Sequence, residues 1–231
     1  AAAVLLRERP DLDTVRSLLA VAPSRGGLRH APEEARAIDA MFRPNSRTLI
    51  GSAATEGRFK QIAGDFRVLH LATHGYFNKA SPLLSGLELE ADRTDDGMLR
   101  VHEILDLPLN ADLVTLSACD TALGSGYFAD TPAGDEFVAL NRAFLAAGSA
   151  SVMATLWQVD DAASVALMKR FYGRLRTSVD DGDTANALAQ AQRSLRRSPQ
   201  HGHPYYWAAY VVIGEGTPPA GVAGKSVGRT S

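Results

Sequence analysis

His74 and Cys119 are the two side chains of this sequence whose types and placement can do chemistry together. Each follows an apolar run: Arg67–Thr73 (RVLHLAT) leads into His74-Gly75, and Leu113–Ala118 (LVTLSA) leads into Cys119-Asp120. The histidine lies 45 positions before the cysteine. A free thiol has a pKa of roughly 8.5 and is mostly protonated at neutral pH. A neighbouring imidazole can take that proton or stabilise the thiolate as an imidazolium. The thiolate attacks a carbonyl carbon, and the imidazolium then protonates the leaving amine. Gly75 predicts a tight turn with an unobstructed backbone N–H, which together with the N–H of Cys119 makes a candidate oxyanion hole. Taken singly, each residue has a plainer reading, the cysteine as a small core residue and the histidine as a structural or surface group.

The elements that must position this pair are legible from the hydrophobic pattern. Besides the two runs above, Ser151–Trp157 (SVMATLW) and Ala209–Ile213 (AYVVI) are continuous apolar stretches. Such runs, without alternation, predict strands covered on both faces, as in a parallel sheet. Ser17–Ala22 and Thr48–Gly51 are shorter strand candidates. Helices fall between them. Pro32-Glu33-Glu34 starts one, with proline in the first turn and acids at the positive end of the dipole. Phe137, Leu140, Phe144 and Ala147 mark a second, closed by Gly148. Val165, Met168, Phe171 and Leu175 mark a third, and Leu188, Ala191 and Leu195 a fourth. Leu87–Glu90 and Met98–Val101 flank the turn Asp95-Asp96-Gly97 as a hairpin, and Val101–Leu107 reads as a short helix. Strands alternating with helices predict an α/β fold, a doubly wound, mostly parallel sheet of about six strands with helices on both faces. In an open sheet of that kind the functional crevice lies beyond the carboxyl ends of the strands. His74 and Cys119 are therefore expected on one edge.

Bulk properties narrow the function. The chain has 231 residues, a formal net charge of -2 and one cysteine. An intramolecular disulfide and a cysteine-rich zinc site are excluded, and a reducing, cytoplasmic setting is expected. The charge balance gives no reason to expect direct nucleic-acid binding, and no stretch approaches the ~20 apolar residues of a membrane span. Residues 1–16 are expected to be a linker or the end of an upstream region, 17–215 the domain, and 216–231 a flexible tail. The absent initiating methionine agrees with a piece of a longer protein. No cofactor motif is present, and no metal is expected in the chemical step.

Other residues carry competing readings. Asp160 and Asp161 follow the third strong strand on the edge of the pair; they are either the acidic floor of an S1 pocket for a basic side chain or caps of the next helix. Asp135 and Glu136 suit the start of a helix near Cys119. His70 reads as a hydrogen-bonded core histidine rather than a metal ligand, and His201 and His203 as loop residues. Ser117 lies inside its strand and lacks the flanking glycines of a nucleophile elbow. Gly124-Ser125-Gly126 lacks the lysine of a phosphate loop. Residues 124–134, with Tyr127 and Phe128 among glycines, suit a flap.

Four segments together resemble the CHAT family, relatives of caspases and separases: VLHLATHGYFN (Val68–Asn78), ADLVTLSACDTALG (Ala111–Gly124), GDEFVALNRAFLAAGSASVMATLWQVDD (Gly134–Asp161) and HPYYWAAYVVIGE (His203–Glu215). The resemblance implies a caspase-like fold with a His-Cys dyad, His74 standing in the family's THG motif and Cys119 in its SAC motif. Asp120-Thr121-Ala122 replaces the Glu-Thr-Gly that often follows the family cysteine; the charge is kept and a glycine is lost. The resemblance also puts Trp157 and Asp160 in the wall of S1, and an upstream helical-repeat or other regulatory region before the domain. The expected function is that of a cysteine endopeptidase acting on protein or peptide substrates. The alternatives are a catalytically silent member acting as a binding or signalling module, and a thiol acyltransferase or amidase on small molecules.

Overall fold

The computed structural model describes residues 17–78, 80–117, 135–157, 159–177 and 184–214. Residues 1–16 and 216–231, expected as linker and tail, together with Cys119 and the expected flap 124–134, lie outside the described residues.

The apolar runs of the sequence become the centre of a six-stranded sheet. β1 (Leu18–Ala22), β3 (Val68–Ala72), β7 (Leu113–Ser117) and β8 (Ser151–Thr155) are buried at every position. The order is β2-β1-β3-β7-β8-β9, with β2 spanning Ser46–Ile50 and β9 spanning Tyr210–Gly214. All pairings are parallel except β8–β9. Continuous apolarity is required because alternate side chains enter two separate cores. Leu69, Leu71, Val114, Leu116, Val152 and Ala154 face one. Val68, Ala72, Leu113 and Met153 face the other. The first core is closed by α2 (Glu56–Ile62), α3 (Val101–Leu105) and α4 (Asp135–Ala147). The second is closed by α1 (Ala31–Phe42), α5 (Asp161–Thr177) and α6 (Thr184–Arg196). Gly148, at φ 118°, takes the left-handed conformation that ends α4.

The last strand departs from the sequence expectation. The run Ala209–Ile213 predicts burial on both faces, yet β9 is an edge strand, antiparallel to β8, and opens to solvent after Tyr210. Its chain arrives through a short 3-10 turn, Pro204–Tyr206, and so enters from the carboxyl edge of the parallel strands.

A second, three-stranded antiparallel sheet is inserted between β3 and β7. It consists of β4 (Gly75–Tyr76), β5 (Gly86–Glu88) and β6 (Met98–Arg100) in that order. The predicted hairpin is thus present, shorter in both arms. Helix α2 has no counterpart in the sequence expectations. Only Phe59 and Ile62 of its seven residues turn inward as apolar groups. The signal that marks it is Thr55, whose Oγ1 accepts the N–H of Arg58 at 3.2 Å and caps its first turn.

Candidate active site

His74 stands where the chain leaves one sheet for the other. Beyond the last residue of β3, Thr73 N–H still donates to Ser117 O at 3.3 Å, extending the β3–β7 ladder by one step. Its hydroxyl donates to Glu88 O, and Glu88 N–H donates to His74 O at 2.9 Å. The backbone on both sides of the half-buried His74 is therefore fixed, to β7 before it and to β5 after it. At the other end of the same strands, Arg67 grips Asp112 with two bonds, of 3.1 and 2.5 Å. That fork aligns the starts of β3 and β7.

Gly75 does not make the expected tight turn. It continues extended as the first residue of β4, opposite Leu87. In an antiparallel ladder hydrogen-bonded pairs alternate with non-bonded ones. Because Glu88 bonds His74, Gly75 and Leu87 form a non-bonded pair, and the Gly75 N–H points away from β5, at the free edge of the small sheet. A Cβ on Gly75 would come 3.2 Å from the Phe77 ring, a contact that glycine avoids at this buried position.

β7 is the immediate neighbour of β3, with Ala72 opposite Ser117. Cys119 comes two positions after Ser117 in the sequence and lies outside the described residues. Ser117 itself is buried within the strand, as the sequence indicated. Asp135 and Glu136 do begin α4.

The β8 end carries the candidate S1 residues. Trp157 is partly buried, and its indole N–H donates to Tyr205 O at 3.1 Å. Asp160 is the cap of α5: its Oδ1 accepts the Ala163 N–H at 2.9 Å, and its carbonyl accepts from Ser164. The Asp161 carboxylate accepts the His30 N–H at 2.9 Å. Both acids thus serve the α5 start and its contact with the α1 entry.

His70, His201 and His203 match their sequence readings, as a core histidine and two loop residues. His70 is fully buried, its Nε2 2.9 Å from Glu34 Oε1 and its Nδ1 3.2 Å from the Tyr172 hydroxyl. Tyr172 donates on to Thr115 Oγ1 at 2.8 Å, and burial pushes its phenol pKa well up, so it stays a donor. This seam joins α1, β3, α5 and β7. His203 Nδ1 accepts the Tyr205 N–H at 3.2 Å, and His201 packs edge-on to Tyr206.

A second polar cluster, not anticipated from sequence, holds the inserted sheet. The Lys60 ammonium lies 2.5 Å from Glu56, 2.7 Å from Asp95 and 2.6 Å from Glu103. Burial lowers the lysine pKa, but bonds to Asp95, Glu103 and Glu56 outweigh it and the pKa is raised. Burial is also the main reason that the Glu56 pKa is raised. These three carboxylates are close enough to hold a metal ion, but the ammonium already supplies their cation. Glu56 further accepts the N–H of Gly97, whose φ of 84° lets the hairpin turn there.

Comparison with known proteins settles the family. The family model for the CHAT domain matches residues 4–215. The chain belongs to the CHAT domain family. Among curated proteins it is similar to Tetratricopeptide repeat protein 28 of Mus musculus, 27% identical over 222 residues, covering 82% of this chain and 9% of that protein. The Homo sapiens protein of the same name is 26% identical, with 82% and 8% covered. The chain thus spans less than a tenth of the length of these relatives. Among solved structures it is similar to the Saccharomyces cerevisiae separase–securin complex, with a TM-score of 0.53, 14% identity, and 87% and 12% of the chains covered. It is also similar to the complex of Porphyromonas gingivalis RgpB pro- and mature domains, with a TM-score of 0.53, 11% identity, and 87% and 47% covered. At these identities the likeness establishes the caspase-like CHAT fold. No helix among the described residues is long and apolar enough to cross a membrane.

Proposed function

We propose that this CHAT domain is a cysteine endopeptidase, with Cys119 as nucleophile and His74 as base and acid. The observation that carries the reading is the junction at His74. The histidine follows β3 directly, β3 is hydrogen-bonded in parallel to β7, and β7 runs into Cys119 two residues on. Neighbouring strands lie about 4.8 Å apart, a separation that side chains of this length bridge. In this reading the His74 imidazole takes the Cys119 proton. The thiolate adds to the substrate carbonyl carbon, and the oxygen, now negative, is held by the N–H groups of Gly75 and Cys119. The imidazolium gives its proton to the amine as the C–N bond breaks, leaving a thioester. Water, deprotonated by His74, then adds to the thioester and releases the carboxylic acid and the thiol. The edge orientation of the Gly75 N–H supports its share in the oxyanion hole.

The tetratricopeptide relatives support an upstream repeat region that regulates access to the site, and protein segments are the proposed substrates. The test is cleavage of a protein or peptide substrate by wild type and Cys119→Ala. The variant is expected to lose activity and keep its fold by circular dichroism. Cleavage at the wild-type rate by Cys119→Ala contradicts the assignment of Cys119 as nucleophile, whereas no cleavage by the wild-type full-length protein leaves the module as a binding or signalling domain.

A further inference from the structure

Helices α5 and α6 leave a cleft of about 330 Å³ between them. Lys169, Arg170, Gly173 and Arg174 line it from α5, and Gln190 and Ser194 from α6. Among the described residues no acid lines it. The two helices carry six cations against the single acid Asp161, in a chain whose formal net charge is -2. Basic side chains in a last turn complement the helix dipole, which accounts for Arg174. Lys169 and Arg170 lie too far from the end of α5 for that reason, because the effect fades within one turn. The cleft shares no residue with the candidate active site. α5 starts just beyond β8, and Gly173 lies about 18 Å along it at ~1.5 Å per residue.

Two features suit this cleft to an anion. The first is Arg170. Its Nε donates to Ser194 Oγ at 3.3 Å, and its Nη1 donates to Ala166 O at 2.7 Å. The guanidinium is thus held across the cleft by neutral acceptors, which leave its charge uncancelled and most of its N–H donors unspent. Lys169 pairs with Glu33 of α1 at 2.9 Å, an exposed pair of the kind worth little, and Glu33 is not part of the lining. The second feature is Gly173. Glycine inside a helix is less stable than alanine. A tight packing contact would justify it, yet a Cβ at Gly173 would meet nothing within 4 Å. The neighbouring helix therefore does not require this glycine. It leaves bare backbone on the floor of the cleft, where a ligand can approach closely.

We propose that the α5–α6 cleft binds a small soluble polyphosphate, with Lys169, Arg170 and Arg174 as its cationic contacts, Gln190 and Ser194 as neutral donors and Gly173 as the floor. The planar fork of arginine matches phosphoryl oxygens, and such charge-assisted bonds are roughly twice as strong as neutral ones. The ligand is compact, because this volume lies at the low end of the ~300–1,000 Å³ of ligand pockets. Convergence of the lining on one cleft, rather than along a strip, favours a small ligand over nucleic acid or an acidic protein.

The experiment is calorimetric titration of the full-length protein with inorganic pyrophosphate, at an ionic strength fixed with sodium chloride. Wild type, Arg170→Gln, Gly173→Leu and Gly173→Ala are compared. Arg170→Gln is expected to weaken binding about tenfold or more, the loss of a charge-assisted bond. Gly173→Leu fills the floor and is expected to weaken it as much. Gly173→Ala separates a ligand role from a structural one. Amide exchange in α5 of the free protein is expected to slow, because alanine favours the helix, while pyrophosphate binds more weakly. Partial misfolding speeds exchange and cannot produce that pair of results. Tripolyphosphate against adenosine triphosphate distinguishes a bare polyphosphate from a nucleotide, and tighter binding of either one supports the site. Binding of pyrophosphate no tighter than that of sulfate overturns the inference, as does wild-type affinity in either Arg170→Gln or Gly173→Leu. Tighter binding of a tetraglutamate peptide than of pyrophosphate overturns the small-ligand assignment in favour of an acidic protein.

Discussion

Two polar networks sit on either side of His74, and they hold their regions in opposite ways. In the six-stranded sheet the seam Glu34–His70–Tyr172–Thr115 is wholly buried among apolar side chains. It is a small polar stitch in a region otherwise held by burial, and it ties β3 to β7. In the inserted sheet the ordering is done by charge. Lys60 clamps α2, the hairpin loop and α3 through three carboxylates, Arg100 pairs with Asp96, and Asp92 folds the loop by accepting from Thr94 and Asp95. Apolar burial carries no charge for salt to screen, whereas partly exposed ion pairs weaken as salt rises. The candidate base therefore hangs between a sheet that sets its position and a smaller one whose hold depends on conditions.

The sharpest way to break the comparison is to remove the clamp. Lys60→Ala leaves the buried Glu56 beside two further carboxylates, and loss of one partner from such a site costs about 3–5 kcal/mol. The expected result in urea unfolding is a large fall in midpoint, with hydrogen exchange in β5 and β6 rising first. Equal acceleration in β7 would erase the distinction between the two regions.

Tyr172→Phe tests the other side. It removes the hydroxyl that bridges His70 and Thr115 and leaves buried groups without it, at a cost of about 1–3 kcal/mol. The loss is expected to be global, because the seam lies in the central sheet. A stability change confined to the inserted hairpin would contradict this.

Acid should separate the regions by the smallest energy. The Asp95 pKa is held down by its Lys60 and Thr94 bonds, and that of Asp92 is lowered to about 2 by backbone N–H bonds from Thr94 and Asp95. Burial opposes the shift at Glu103, but bonds from Lys60 and the Arg100 N–H outweigh it and its pKa falls. Depressed carboxyl groups stabilise the fold above their ordinary values, 3.8 for the aspartates and 4.5 for Glu103, and lose that contribution as pH falls through the depressed values. Glu56 has the opposite sign, since its raised pKa makes protonation a relief. Exchange in the hairpin is therefore expected to rise as pH drops from about 4.5 toward 2, before β3 and β7 respond. Unchanged hairpin protection over that window, relative to the sheet, would contradict the role given to these bonds.

The same division decides what the sequence disclosed. The strands of the large sheet were legible because burial on both faces demands unbroken apolar runs, and β3 and β7 pointed directly at His74 and Cys119. The α5 cap was legible only as one reading of Asp160 and Asp161, since acids after a strand suit a substrate pocket as well as a helix start; the bond to the Ala163 N–H decides for Asp160. The clamp was not: Glu56, Lys60, Asp95 and Glu103 come from three separate segments, and charges that meet only in space leave no spacing to read. Helix α2 was hidden for a related reason, as seven residues with two apolar positions carry too little periodicity. β9 misled because Tyr210–Ile213 is as apolar as an interior strand, although it sits at the edge. Gly75 departs from the sequence reading, being a buried, extended strand residue in place of a turn.

The most direct test of the central claim is the pH profile of Cys119 alkylation by iodoacetamide in wild type and in His74→Ala. A His74–Cys119 pair predicts that the wild-type thiol reacts well below the free-thiol pKa of roughly 8.5, and that the variant's profile moves up to that value. Superimposable profiles in the two proteins would mean that His74 does not activate Cys119, and the cysteine-peptidase account would fall.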